Sequence, residues 1–333
     1  MASAQDLINS GLVDTIKRQY KGTNYNIPDK YFILIADYID ALNQLEYEGG
    51  LYLNPIDIAK RLPTVLKEVV EANLNGIHGI TEDDKITMNG SLNYETKKLY
   101  FFHELTHAIQ TRIINGHEQC SFYNGKDGMF LTEGATQYTA EILYHISNGT
   151  NIRYRSQYGV VRGQSDHVVY SPLSEYQMNG NILMLMSYSM GIPLNQMLAL
   201  GFRSDGRDLL KQMYEAFPGN ENKFDQFMYD LEKIYSIDKL ILTGYKDRLS
   251  GPQVNIQMKD GRVFAGNLQM QNELIVKAER ELASNFIANY EPDYILANYQ
   301  KVYSCLTNDS LKNDFLNVVN QIKNMQSDVS FGY

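Results

Sequence analysis

The sequence predicts an α+β fold that is mostly helical. Two observations carry that expectation. Apolar residues recur at three- and four-residue intervals over most of the 333 residues, the spacing of one buried helical face. Strand-like runs are short and gather in two places, 76–90 and 254–265, each folded about a turn. Such pieces make small local sheets against a helical body. Neither an internal repeat nor a low-complexity tract interrupts the pattern, and the length supports one large domain with an appendage, or two domains.

Residues 1–75 read as a helical lead-in. Two amphipathic stretches within 5–48, including Tyr31-Phe32-Ile33-Leu34-Ile35-Ala36-Asp37-Tyr38-Ile39, are split by the turn residues Lys21-Gly22-Thr23-Asn24. A further helix is expected from Ile56 to about Asn73, kinked or restarted at Pro63, which lacks an N–H. Residues 76–241 follow, opening with Gly76-Ile77-His78-Gly79-Ile80 and Lys85-Ile86-Thr87-Met88-Asn89 as two strands about an acidic turn. The next helix runs from Asn93 as N-cap to a stop at Asn115-Gly116, with Leu99, Phe102, Thr106, Ile109 and Ile113 as its buried stripe.

A loop from about His117 to Phe130 leads to a second patterned helix, from near Thr132 to Ser147-Asn148-Gly149. Residues 150–173 form an irregular excursion. Ser174 with Gln177 resembles a capping box, opening a helix through Met190 that stops at Gly191, and more helices follow to about Ile234. A subdomain boundary is placed at 242, where Leu242 to Pro252 is turn-rich. Residues 242–333 then read as a hairpin over Val254–Ala265, turning at Lys259-Asp260-Gly261, plus two or three helices.

Thirty Lys and Arg against thirty-nine Asp and Glu leave a formal charge of −9 and a pI near 5.2, which excludes nucleic acid as a partner. The two cysteines, Cys120 and Cys305, lie far apart and outside any CxxC pattern, so no disulfide framework or Cys-based zinc site is encoded; a single bridge stays open. The N-terminus Met1-Ala2-Ser3-Ala4-Gln5-Asp6-Leu7 lacks the basic and apolar regions of a secretory signal. A soluble chain is expected, cytoplasmic or secreted with its signal removed. The most apolar run, Ile182–Met190, is about half the ~20 residues of a membrane span. Neither oligomeric state nor location is read from these features.

Residues 103–107 read His103-Glu104-Leu105-Thr106-His107, an H-E-x-x-H pattern in the middle of a periodic helix. At i and i+4 both imidazoles lie on one helical face and reach a single Zn²⁺, with Glu104 beside it as base. A hydrolytic zinc takes three protein ligands and keeps the fourth position for water. The extended H-E-x-x-H-x-x-G-x-x-H form is excluded, because Gln110 and Ile113 stand where Gly and His would be. The third ligand is therefore sought on a following helix. Glu133, in Leu131-Thr132-Glu133-Gly134, is the first choice, with Glu141 its rival.

The segments Tyr100-Phe101-Phe102-His103-Glu104-Leu105-Thr106-His107-Ala108-Ile109-Gln110 and Phe130-Leu131-Thr132-Glu133-Gly134-Ala135-Thr136-Gln137-Tyr138 resemble the gluzincin zinc metallopeptidases, the thermolysin-like and aminopeptidase-like enzymes. The resemblance covers roughly 76–235. It implies a zincin-like catalytic domain over 76–241 and Zn²⁺ held by His103, His107 and Glu133. It further implies hydrolysis of a peptide or protein substrate, with Glu104 as general base on a zinc-bound water. An edge strand just before the motif helix, Ile86-Thr87-Met88-Asn89, would hold that substrate extended.

The resemblance also calls for an oxyanion donor. Tyr176 is the first choice, with Tyr170, His167 and Tyr123 behind it. Many family members carry an acid four positions after the third ligand. This chain has Gln137 there, whose amide oxygen can still accept a hydrogen bond from a ligand imidazole. His117 and His145 fit no ligand spacing, and Met178, Met184, Met186 and Met190 read as core packing. A zinc-binding regulatory or peptide-sensing protein with no or very restricted proteolysis is the alternative. Endopeptidase and aminopeptidase are not separated.

Overall fold

Helix dominates the described residues, and four small sheets punctuate them. The computed structural model describes residues 11–47, 55–114, 117–149, 153–155, 160–162, 176–203, 211, 213–215, 217 and 221–330. Helices α1 (Leu12–Gln19), α2 (Asp29–Tyr47) and α3 (Pro55–Val65) lead into a three-stranded sheet of β1 (Glu68–Ala72), β2 (Gly79–Glu82) and β3 (Lys85–Asn89). Helix α4 (Tyr94–Gln110), the hairpin β4 (Thr111–Ile114) and β5 (His117–Cys120), and α5 (Met129–Ser147) follow. A short pair, β6 (Arg153–Arg155) and β7 (Val160–Arg162), precedes α6 (Gln177–Met190), α7 (Leu194–Arg203) and α8 (Glu221–Leu240). Helix α8 leads through Ile241–Tyr245, where the positive φ of Gly244 kinks the chain, into α9 (Lys246–Leu249). The hairpin β8 (Val254–Gln257) and β9 (Val263–Gly266) comes next, then α10 (Leu268–Asn289), α11 (Pro292–Cys305) and α12 (Asp309–Ser330).

The first sheet corrects two expectations. Helix α3 does not continue to Asn73. It ends at Val65, two residues after Pro63, and the β-branched run in Glu68-Val69-Val70-Glu71 becomes strand β1. Strand β1 pairs in parallel with β3, Val69 opposite Ile86, while β2 pairs antiparallel on the other side, Ile80 opposite Thr87. The order is thus β1-β3-β2. Ile86-Thr87-Met88-Asn89 is central, because β1 covers the side expected to be open; the outer strands are β1, bridged to Asn26 at Glu68, and β2, the one that meets Glu104.

Helix α4 starts where expected: Asn93 Oδ1 accepts the Thr96 backbone N–H at 2.9 Å. It stops at Gln110, five residues before the expected Asn115, because Thr111, Ile113 and Ile114 prefer extended backbone and pair with β5. Arg61 closes this end, donating from Nη2 to the Ile109 carbonyl oxygen at 2.7 Å. Helix α5 begins at Met129 rather than Thr132. Its first N–H groups are satisfied from α8: Glu232 Oε1 accepts from Gly128 at 2.7 Å and Phe130 at 3.2 Å. Helix α6 opens at Gln177; Ser174 lies outside the described residues.

Helix α5 is the axis of the molecule. It packs on α2, α4, α6, α7 and α8, and its side chains are buried from Met129 to Leu143. Gly134 allows the closest approach, since a Cβ there would stand 2.9 Å from the Asn179 carbonyl of α6. The main core runs from Val13 in α1 to Val319 in α12, so helices α10 to α12 share the core of α4 and α5. A second small core, built on Ile237, Leu249, Ile256, Met258 and Phe264, seats the β8–β9 hairpin against the end of α8. Met184, Met186 and Met190 are buried in the main core, with Met178 packed against it. Cys120 and Cys305 are free thiols. No helix among the described residues is long and apolar enough to cross a membrane.

Candidate metal centre

One turn of α4 separates His103 from His107, and the two rings stand at 75° with their Nε2 atoms 3.1 Å apart. The second turn of α5 supplies Glu133, whose Oε2 lies 3.3 Å from His103 Nε2 and 3.2 Å from His107 Nε2. The three donor atoms therefore form a nearly equilateral triangle. Donors held tetrahedrally about 2.0–2.1 Å from one ion stand about 3.3 Å from each other. The observed triangle fits that spacing, and two imidazoles with one carboxylate are a donor set that suits zinc. Among the described residues this is the one such cluster of His, Cys, Asp or Glu.

The surroundings fix how each imidazole faces the centre. Gln137 Nε2 donates to Glu141 Oε1 at 2.6 Å, so its amide oxygen is turned to His103 Nδ1, 2.8 Å away. A carboxylate only accepts, which sets the amide orientation, and the amide oxygen in turn requires the proton on Nδ1. The His103 Nε2 lone pair is thereby left for an ion. Tyr176 stacks on the same ring at 5.1 Å and 18°. Glu141 is thus held behind Gln137 rather than beside the two Nε2 atoms. His107 Nδ1 faces the Thr136 hydroxyl at 3.5 Å and the Cys120 thiol at 3.8 Å, and Thr136 donates to Gln110 Oε1.

The electrostatics are those of a cation site. Burial alone would strip the His107 proton, but the Glu133 charge and hydrogen bonding to Cys120 and Glu133 raise its pKa well above the ordinary value. Burial likewise works against the Glu133 charge, and His107 and His103 reverse that effect, holding Glu133 far below the usual carboxylate range. Tyr235 of α8 brings its hydroxyl to 3.5 Å from Glu133 Oε1. Burial, reinforced by the Glu133 and Glu232 charges, keeps that phenol protonated and therefore a donor.

Glu104 follows His103 on α4 and lines the same cleft of about 440 Å³. It is 7% exposed, and its Oε2 accepts from the Thr81 hydroxyl of β2 at 2.7 Å. One wall of the cleft is β2 with the preceding loop; the other is the start of α6, the end of α8 and Lys259 of the β8–β9 turn. Among the expected donors, Tyr176 lines the cleft. Tyr123 is buried under the Lys259 ammonium, 4.6 Å from its ring, and His167 and Tyr170 lie outside the described residues. His145 sits half-buried in the last turn of α5 beside Tyr144.

Thr81 and Tyr235 were not anticipated. Tyr235 is one of 25 tyrosines and Thr81 sits in a four-residue strand, so neither carried a local signal. Comparison with protein-family models, curated proteins and solved structures returns no match to this chain, and the functional reading rests on the geometry alone.

Proposed function

We propose that the chain is a zinc-dependent peptidase of the gluzincin type. The observation that carries this reading is the convergence of the His103, His107 and Glu133 donor atoms in one cleft with the buried carboxylate of Glu104 and the open edge of β2. His103, His107 and Glu133 would hold the ion, which supplies Lewis acidity enough to make water nucleophilic near neutral pH and to polarise a carbonyl.

The protein's own groups do the rest. Gly79–Glu82 pairs with β3 along one side, and its other side, which no strand covers among the described residues, would hold a peptide extended by strand addition. Glu104 takes a proton from the attacking water as the carbon–oxygen bond forms. It returns that proton to the leaving nitrogen as the carbon–nitrogen bond breaks. Of the three tyrosines that line the cleft, Tyr100 stacks on His78, and Tyr235 and Tyr176 are the two from which a donor to the developing oxyanion is drawn.

Zinc content by mass spectrometry, together with assay of Glu104→Gln on a peptide library, tests the proposal. The expected result is about one zinc per chain in both proteins, with cleavage by wild type alone. Equal inertness with zinc retained would remove the peptidase reading and favour a metal-binding regulatory role. Failure to bind zinc after reconstitution would remove both.

A further inference from the structure

Gly79 and Thr81 stand two residues apart on β2 and so share one face of the strand. That face meets Glu104. A Cβ on Gly79 would lie 2.7 Å from Glu104 Cγ and 3.0 Å from Oε1, so the glutamate occupies space that only glycine leaves. Thr81 Oγ1 lies 2.7 Å from Glu104 Oε2 and 3.0 Å from the Glu104 backbone oxygen. The hydroxyl has one proton to give. The carboxylate is the stronger acceptor and the shorter contact, so it takes the proton, and the backbone oxygen has at most a share of that same proton.

We infer that Thr81 is a positioning residue for Glu104, with Gly79 providing the room, so that β2 places the base as well as docking the substrate. The inference rests on the peptidase reading above. A glutamate has three rotatable side-chain bonds, and a base must stay within about 2.6–3.2 Å of the proton it takes. Thr81 anchors one carboxylate oxygen and leaves the other for proton transfer. Among the described residues β2 pairs with β3 on one side only, so a docked peptide would lie about 4.8 Å from the strand that holds the base. The register of the substrate and the position of the base then share one reference.

The test compares Thr81→Val, Thr81→Ser and Gly79→Ala in the full zinc-loaded chain, using a peptide that wild type cleaves. Thr81→Val removes the hydroxyl at nearly constant shape and should lower kcat about 10- to 100-fold, the worth of a hydrogen bond to a charged group. KM should stay within about twofold, and zinc stoichiometry should be unchanged. Thr81→Ser should restore most of kcat. Gly79→Ala keeps the hydroxyl but crowds the carboxylate, and should lower kcat in the same way.

In metal-free protein, the infrared carboxylate band assigned to Glu104 by subtraction of Glu104→Gln should shift in Thr81→Val. Wild-type kcat in Thr81→Val, or equal impairment in Thr81→Ser, would overturn the inference; so would undiminished kcat in Gly79→Ala. If wild type cleaves nothing, the peptidase reading falls by itself. The infrared comparison still decides whether Thr81 holds the carboxylate, and an unshifted band would show that it does not.

Discussion

Glu232 couples pH to the helix that carries Glu133, and its effect on stability can be worked out. Its carboxylate is 3% exposed and caps the start of α5 through the Gly128 and Phe130 N–H groups. Burial raises its pKa from 4.5 to about 7, aided by the Asp127 charge and opposed by the capping N–H groups. Between those two values the folded chain keeps a proton that the unfolded chain has released. Stability therefore falls as pH rises through that window, and the loss is complete above pH 7. A shift of that size corresponds to about 3 kcal/mol.

Glu232→Gln keeps the accepting Oε1 and copies the shape of the protonated acid, so it removes the charge and little else. Urea unfolding of metal-free wild type and variant is the assay, at pH 5 and pH 8. His107 and Glu133 titrate in both proteins and cancel in the difference. The variant should match wild type within about 1 kcal/mol at pH 5 and exceed it by up to about 3 kcal/mol at pH 8. A pH-independent difference would refute the reasoning. A variant less stable at pH 8 would also refute it, because capping by the ionised acid would then outweigh its burial.

Three further outcomes follow from the centre. His107 holds a proton against Glu133, so a metal must displace it: zinc affinity should fall roughly tenfold per pH unit below the His107 pKa, with about one proton released per ion, as read by calorimetry in buffers of different ionisation enthalpy. A pH-independent affinity would contradict this. Gln137→Leu removes the acceptor for His103 Nδ1 and should weaken zinc binding about 10- to 100-fold in a chelator competition. Gly134→Ala puts a methyl 2.9 Å from the Asn179 carbonyl and should cost about 1–3 kcal/mol by parting α5 from α6, despite the better helix propensity of Ala; an unchanged melting temperature would count against this packing.

What could be read from the sequence was local. His103 and His107 share a face because one helix carries both, and the helical repeat converts a spacing of four into adjacency. Asn93 caps α4 by accepting from a backbone N–H only three residues along. Non-local partners were illegible. Val69 and Val70 look the same whether they extend a helix or pair with Ile86 and Thr87, and only the position of β3 decides. The same ignorance misplaced the sheet edge. Tyr235 reaches Glu133 across 102 residues, and its periodicity says that its helix buries a face without saying what a polar group on that face will meet. The stripes on α10, α11 and α12 are likewise apparent in sequence, but their joining the core of α5 follows from packing alone.

One residue bears on the choice between a hydrolytic site and a site that only stores or senses an ion. Ion storage needs three donors and the groups that orient them, and Gln137, Glu141 and Tyr235 supply those. It does not need Glu104. That carboxyl group is buried one residue after His103, takes no place in the donor triangle, and adds to the acids of a cleft already lined by Glu82, Glu133 and Asp238. Burying such a polar group is costly unless it is hydrogen-bonded, and here a four-residue strand gives up a side chain at Gly79 and aims a hydroxyl from Thr81 to hold it. Local expense of this kind belongs to sites where the group is used. Under the proposed peptidase reading Glu104 is the base beside the donor triangle, next to the strand where an extended chain would dock; the ion alone gives Glu104 no such use.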